Sequence, residues 1–322
     1  MRRTVVAATA TALLLAGCAS TPPQATVTPS LQAEAALIDT QADAVIDATF
    51  AELTAADAAR NPELFASRVA GNAALVRSAE YTVASNVADE QVSDLPSHMQ
   101  GVYVSRSQTW PRMLAAVSEP PADDLTPVVY LWVQESVDKP YRLVAWAHMI
   151  PGAVLPAMPG EVDGAEELPL GEDGIDPSPR KALEDYVEYL RQGADSDLAA
   201  NFTEDTYAKQ LFSARAVLAD AASSTGGAYV DTVQPVLAAT FVLATSDGGA
   251  LIFAPIDIAS SFSVKDATLT LSARDAPLLQ GDATDKVTYN YRDFVVLSVP
   301  PPGQSPLPGV VAAEHHLVSI TP

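Results

Sequence analysis

Residues 128–150 read VVYLWVQESVDKPYRLVAWAHMI. Val128–Ser136 is dense in Val, Tyr and Trp, side chains that suit a pleated, half-buried surface, and Tyr141–Ile150 repeats that composition. Between them, Val137-Asp138-Lys139-Pro140 carries the residue types of a turn. The stretch therefore predicts an antiparallel hairpin, with Arg112–Ser118 as a third strand upstream.

Helices are expected before these strands. Ala42, Ile46, Phe50 and Leu53 fall on one face of a segment from about 40 to 60. Asn61-Pro62 offers a cap and a first-turn proline for a second helix running to about Tyr81. The C-terminal half repeats the order. Ser178 caps and Pro179 opens a helix with Leu183, Tyr186, Val187 and Leu190 on one side, ended by Gly193. Thr203 caps a further helix with Tyr207, Leu211, Ala214 and Leu218 aligned, and Gly226-Gly227 stops it. Strands follow at about 229–245, 250–262, 265–273, 286–299 and 310–320, with Asp247-Gly248 as a hairpin turn. Helices followed by an antiparallel meander, twice over, predict an α+β fold of two tandem units. In each unit the N-terminal helices pack on a curved antiparallel sheet, an arrangement resembling the cystatin-like and nuclear-transport-factor-like folds, which form a cone-shaped cavity between helix and sheet.

The first eighteen residues have a different character. Arg2 and Arg3 precede an apolar run from Val5 to Leu15, and Ala16-Gly17-Cys18 follows. This is the layout of a secretory signal and is too short for a membrane span of about 20 residues. Leu15-Ala16-Gly17-Cys18 resembles the lipobox of bacterial lipoproteins, which implies lipidation of Cys18 and a protein anchored on the extracytoplasmic side of the cell membrane. Two or more acyl chains hold a protein stably where one does not. Cys18 is the only cysteine, so no thiol is left for a disulfide, a nucleophile or a metal. The expected division is a signal peptide at 1–17, the lipidated Cys and a Pro-rich tether at 18–38, and a first unit at 39–160. An acidic linker at 161–177 and a second unit at 178–322 complete it.

Charge narrows the partners. The chain has 18 basic and 40 acidic residues, and removing Arg2 and Arg3 leaves 16 basic ones. Nucleic acid needs clustered Lys and Arg, so it is excluded as a partner, and anionic headgroups would repel the body. The expected partners are the membrane, through the lipid, and an envelope protein or a small apolar ligand.

The mature chain also resembles a family of actinobacterial lipoproteins of unknown function with this two-part layout. The likeness rests on Arg68-Val69, Gly71, Leu75, Arg77, Glu80-Tyr81, Trp110-Pro111-Arg112, Gln134, Pro140 to Leu143 and Leu155-Pro156. In the second half it rests on Tyr186, Leu190, Phe202 and Tyr291 through Pro300-Pro301. The resemblance implies class and place, not chemistry.

No catalytic residue and no cofactor are expected. The four histidines are too dispersed for a metal centre, and His315 and His316, adjacent in an expected strand, would point to opposite faces. There is no G-x-S-x-G elbow. Ser136 and Lys139 match S-x-x-K in spacing but straddle a turn rather than opening a helix. The carboxylates of 161–176 could offer oxygens to Ca²⁺, yet their spacing is not that of a calcium loop, and such a run is ordinarily solvated. Trp110, Trp132 and Trp146 could line a ligand cavity, but the expected place for them is the core between sheet and helices. Arg112 and Arg142, on expected strands beside Trp or Tyr, could meet a ligand carboxylate or pair structurally, for example with Glu80. The function expected is therefore a non-enzymatic binding or interaction module. The alternatives are a carrier of a lipid or small molecule and, behind both, an envelope hydrolase.

Overall fold

A computed structural model describes residues 34–322 apart from 107, 122–124 and 173. The signal at 1–17, Cys18 and most of the tether lie outside the described residues. The first half contains α1 (Asp39–Ala59), α2 (Gly71–Asn86), β1 (Met99–Val104), β2 (Arg112–Ser118), β3 (Val128–Gln134) and β4 (Arg142–His148). The second contains α3 (Pro179–Gln192), α4 (Thr206–Ser224), β5 (Tyr229–Pro235), β6 (Phe241–Ala244), β7 (Ala250–Ser263), β8 (Lys286–Val299), β9 (Gly309–Glu314) and β10 (Leu317–Thr321). The chain is α+β with two antiparallel sheets.

The first sheet is a simple meander, β1-β2-β3-β4. In the second, β7 and β8 form a long central pair, with β5 and β6 sharing the outer edge of β7 and β9 and β10 sharing that of β8. Helices α1 and α2 cover one face of the first sheet through Ile46, Leu53, Val76, Leu114, Trp132 and Leu143. Helices α3 and α4 cover one face of the second through Leu183, Tyr186, Leu211, Ile252 and Leu297. The remaining faces meet each other: Met113, Leu131, Val133 and Ala145 pack with Leu251, Phe253, Phe294 and Val296. Residues 34–322 thus belong to one compact unit. A one-residue irregularity between Leu131 and Trp132 pairs them with Ala145 and Leu143, leaving Val144 over. That shift is how Leu143 and Trp146, of opposite sequence parity, both reach the helix side.

The acidic stretch between the halves stays docked to both sheets. Ala165 is buried and bridges Ser105, while Glu167 bridges Leu243. The Leu168 N–H donates to Val242 O at 3.1 Å, and Glu166 pairs with Arg106 at 2.7 Å. Gly164, Ala165 and Ile175 are buried against the protein, while Val162 and most of the carboxylates are exposed.

Several expectations shift. Asn61 does cap, its Oδ1 accepting from Glu63 N at 3.0 Å, but only the short 3₁₀ turn Pro62–Phe65 follows. Hydrogen bonds between Arg68–Ala70 and Leu143 then hold the chain on the edge of β4, and the helix restarts at Gly71. Asp205, not Thr203, caps α4, its Oδ1 accepting from Ala208 N at 2.7 Å. Residues 265–273 are not a strand: β8 is already paired on both sides, so Leu269 and Leu271 merely pack against the rim. The segment 229–245 is broken by a 3₁₀ turn at Leu237–Ala239, and 310–320 by His315-His316. Strand β1, with Gly101 in it, was not expected at all.

At the junction of α1 and α2 lies Arg77, its side chain 2% exposed. Its Nε and Nη2 donate to Asp57 Oδ1 and Oδ2 at 2.9 and 2.7 Å. Its Nη1 donates to Glu80 Oε2 at 2.8 Å and to Ser93 O at 2.7 Å, and the Tyr81 hydroxyl adds a 2.6 Å bond to Asp57 Oδ1. Removing one partner of a buried ion pair strands the other. Asp57→Ala is expected to lower the unfolding free energy by about 3 kcal/mol in urea denaturation; a loss below about 1 kcal/mol, the level of an exposed pair, would contradict this role.

Candidate functional site

Trp132 and Trp146 are fully enclosed, 0% and 2% exposed. The Trp132 indole N–H donates to Thr49 Oγ1 at 3.0 Å, and its ring meets Tyr130 with centroids 5.5 Å apart. Trp146 lies edge-on to His316 at 6.1 Å, with the Arg77 guanidinium 5.8 Å from its ring centroid. Around these two residues, the space that the fold analogy assigns to a helix–sheet cavity is occupied by packed side chains. Trp110 and Arg112 form a separate pair, the guanidinium carbon 4.1 Å from the ring centroid. Arg112 faces Glu167 and Tyr141 rather than Glu80, which is taken by Arg77. Burial pushes the Glu167 carboxyl up, opposed by a hydrogen bond from Thr109 at 3.0 Å and by the Arg112 charge.

Arg142 is placed differently from the other four. It pairs across β3–β4 with Val133 and so lies on the sheet–sheet side. There the two sheets part at one end, leaving a cleft of ≈ 510 Å³. Leu131, Val133, Phe241 and Phe294 form apolar walls, and Gly71 and Asn72 at the start of α2 close one side. Arg142 Nη2 donates to Glu135 Oε1 at 3.1 Å, and both line the cleft. Asn72 is only 6% exposed, and its Oδ1 has no hydrogen-bond partner. Sequence reasoning singled out Arg142 but not Asn72, which falls in the middle of the helix expected from Asn61-Pro62 to about Tyr81.

A second cleft, of ≈ 580 Å³, lies at the end of the second sheet. It brings together Leu155-Pro156 and Pro300-Pro301, far apart in sequence, with Pro306 and Leu307.

The histidines converge more than their spacing suggested. His148 Nδ1 lies 2.6 Å from Glu314 Oε2, and His316 Nε2 lies 3.8 Å from Glu314 Oε1. His315 and His316 do diverge, though in the break between β9 and β10 rather than along a strand. His315 Nδ1 lies 2.8 Å from the fully buried carboxylate of Asp293, which also accepts from the Tyr207 hydroxyl at 2.5 Å. Among the described residues no group of His, Cys, Asp or Glu is arranged to hold a metal ion. Ser136 Oγ donates to Asp138 Oδ1 at 2.6 Å, within a turn and not at a helix start. Among the described residues no helix is long and apolar enough to cross a membrane.

A family model described as a domain of unknown function, DUF8094, matches residues 33–316. The chain belongs to this family. No curated protein and no solved structure matches it. The DUF8094 match spans both halves and the residues of both clefts, ending just before β10. The inter-sheet cleft of this DUF8094 chain sets the Arg142 guanidinium beside a hydrophobic floor.

The Glu314 carboxylate, by its hydrogen bond, raises His148 above its ordinary 6.5. A raised folded pKa makes the pair stabilising below about 6.5, with that stability lost as pH rises through the folded value. His316 runs the other way, since burial lowers it. Comparison with His148→Gln isolates the pair. The wild-type protein is expected to exceed the variant in urea stability at pH 5.5, by no more than about 1 kcal/mol because His148 is partly exposed, and to lose that margin by pH 8.5. An advantage that grew with pH would contradict the assignment.

Proposed function

We propose that this chain is a lipoprotein, held by lipid on Cys18 at the extracytoplasmic face of the cell membrane. Its DUF8094 body is then a non-enzymatic module that binds a small, largely apolar ligand in the inter-sheet cleft. The anchor reading rests on the signal-like N-terminus and the lipobox resemblance. The acidic body, with 16 basic against 40 acidic residues after the signal, would be repelled by anionic headgroups and would stand away from them. The helices-first order of each half supports the finer reading of two tandem cystatin-like or nuclear-transport-factor-like units.

One observation carries the binding reading: a cleft of ≈ 510 Å³ with apolar walls, lined at its rim by the Arg142 guanidinium, which spends a single 3.1 Å bond on Glu135. The seat lies between the two sheets, not inside the first helix–sheet layer, where Trp132 and Trp146 already fill the space.

Two experiments test this. Cells fed an alkyne-bearing fatty acid are expected to label the wild-type protein, while Cys18→Ser abolishes the label and moves the protein to the soluble fraction. A Cys18→Ser protein that kept its label and its membrane fraction would sink the anchor. Native mass spectrometry of the purified full-length protein is expected to show a small-molecule adduct that Arg142→Gln weakens. Turnover of envelope polymers at ordinary enzyme rates would overturn the non-enzymatic reading.

A further inference from the structure

We propose that His316 makes the edge strand β10 an acid-released latch between the two halves. With its ring neutral, His316 seals the turn into β10 against Trp146 of the first sheet. Protonation leaves an enclosed cation with no free countercharge, and the start of β10 moves away from α2.

His316 lies in the break between β9 and β10. Its ring stands edge-on to Trp146 of β4 at 6.1 Å, and its side chain is 13% exposed. Nε2 is closed off from solvent and has no hydrogen-bond partner. The His316 carbonyl accepts from Arg292 N of β8 at 2.9 Å. Leu317 then pairs with Tyr291, and an irregularity before Ser319 leaves Val318 over. Val318 packs both on the first core and on the patch that α2 shares with β10. That patch joins Ala79 and Val83 of α2 to Val287 and the fully buried Ile320. A His316 ring that leaves its place therefore pulls on residues that tie the two halves together along this edge.

Three carboxylates act on the ring, and each is already compensated. Glu314 of β9 lies 3.8 Å from Nε2, but its other oxygen lies 2.6 Å from His148 Nδ1 and accepts from His148 N at 3.2 Å. Glu80 of α2 is taken by Arg77 and Ser93. Asp293 of β8 holds His315 Nδ1 at 2.8 Å and the Tyr207 hydroxyl. The neighbouring cations are His315 and Arg77, the latter 5.8 Å from the Trp146 ring centroid; Arg292 is occupied by Asp257 at 2.6 Å. In the adjoining pocket Arg274 and Glu90 form a 3.2 Å pair, and Asp275 is partly exposed and so screened by water. A charge enclosed without a partner of its own is driven toward water.

The two histidines that share Glu314 take their protons in a fixed order. The hydrogen bond to Glu314 raises His148, which is protonated first as pH falls. Burial lowers His316, so its proton arrives when Glu314 already has a cation beside it. Because the folded value lies below the ordinary 6.5, the stability contributed by the neutral ring is present above about 6.5 and lost as pH falls from there toward the lowered value. β10 has five residues and lies at the edge of its sheet, so it can open as a local unit while the cores hold.

Amide hydrogen exchange of the full-length protein at pH 7.5 and 5.0, corrected for the intrinsic pH dependence of exchange, tests the latch. Residues 317–321 are expected to open about 10-fold more at pH 5.0, the change that a shift of one pKa unit supplies, while α3 stays protected. His316→Gln, neutral at both values, is expected to lose the difference. His148→Gln frees Glu314 to meet the His316 cation, and is expected to move the opening to lower pH. Protection gained by a substitution is an outcome that misfolding cannot mimic. If residues 317–321 open equally at the two pH values, or open with acid in His316→Gln as in the wild type, the latch fails. It fails as well if His148→Gln leaves the acid opening unchanged, or if α3 loses its protection together with β10, which would assign the change to global unfolding.

Discussion

A guanidinium enclosed by protein has to be neutralised and hydrogen-bonded where it lies, and Arg77 places that demand at the centre of the first half. Asp57 brings α1 to it, Glu80 and Tyr81 come from its own helix, and the Ser93 carbonyl comes from the segment leading to β1. Since the forked donors tolerate little misplacement, the angle between α1 and α2 follows from satisfying them. The same charge lies over Trp146, which touches His316 of the second half. Helix α2 then serves three neighbours. Val76 packs in the first core, Ala79 and Val83 reach Val287 and Ile320 of the second sheet, and Gly71-Asn72 borders the inter-sheet cleft.

The apposition of the sheets follows from the strands themselves. A sheet with one wet face alternates apolar and polar residues, whereas one covered on both faces reads as a continuous apolar run. Residues 128–133, Val-Val-Tyr-Leu-Trp-Val, are all buried, so that run already carried the sign of a second covering layer. Reading it as half a hairpin captured the pairing and missed the layer. β7 makes the same point, with Ala250–Ile256 buried on both faces.

Where local chemistry rules, the elements were legible. Ser178-Pro179 and Gly193 bound α3, and Asp247-Gly248 turns between β6 and β7. Where a distant partner decides, they were not. The helix after Asn61-Pro62 breaks because Leu143, some seventy-five residues on, captures Arg68 and Ala70. The alternating leucines of 265–273 find no strand because β8 has no vacant edge. The site divides the same way. Arg142 stood out as a charge on an apolar strand, and structural pairing with Glu135 is part of its role. Arg112 turned to Trp110 and the acidic stretch, a segment whose position depends on both sheets. Asn72 carried no signal, because its partnerless oxygen is a property of the packed structure. The meeting of His148 with Glu314 spans 166 residues and has no trace in spacing.

These features make the inter-sheet cleft a joint property of the two halves. Gly71, Asn72, Glu135 and Arg142 come from the first, and Ala238, Phe241 and Phe294 from the second. A ligand seated there contacts both, so whatever free energy it gains favours the arrangement in which the sheets face each other. That bias scales with ligand concentration over its dissociation constant, as for any molecule that binds the folded form alone. The apolar floor keeps the sheets together without the ligand, since Leu131, Val133 and Phe294 continue into the shared core. Occupancy would therefore tighten the mouth of the cleft more than its floor. The first turn of α2, backed by the Arg77 cluster little more than a turn further along the helix, borders that mouth.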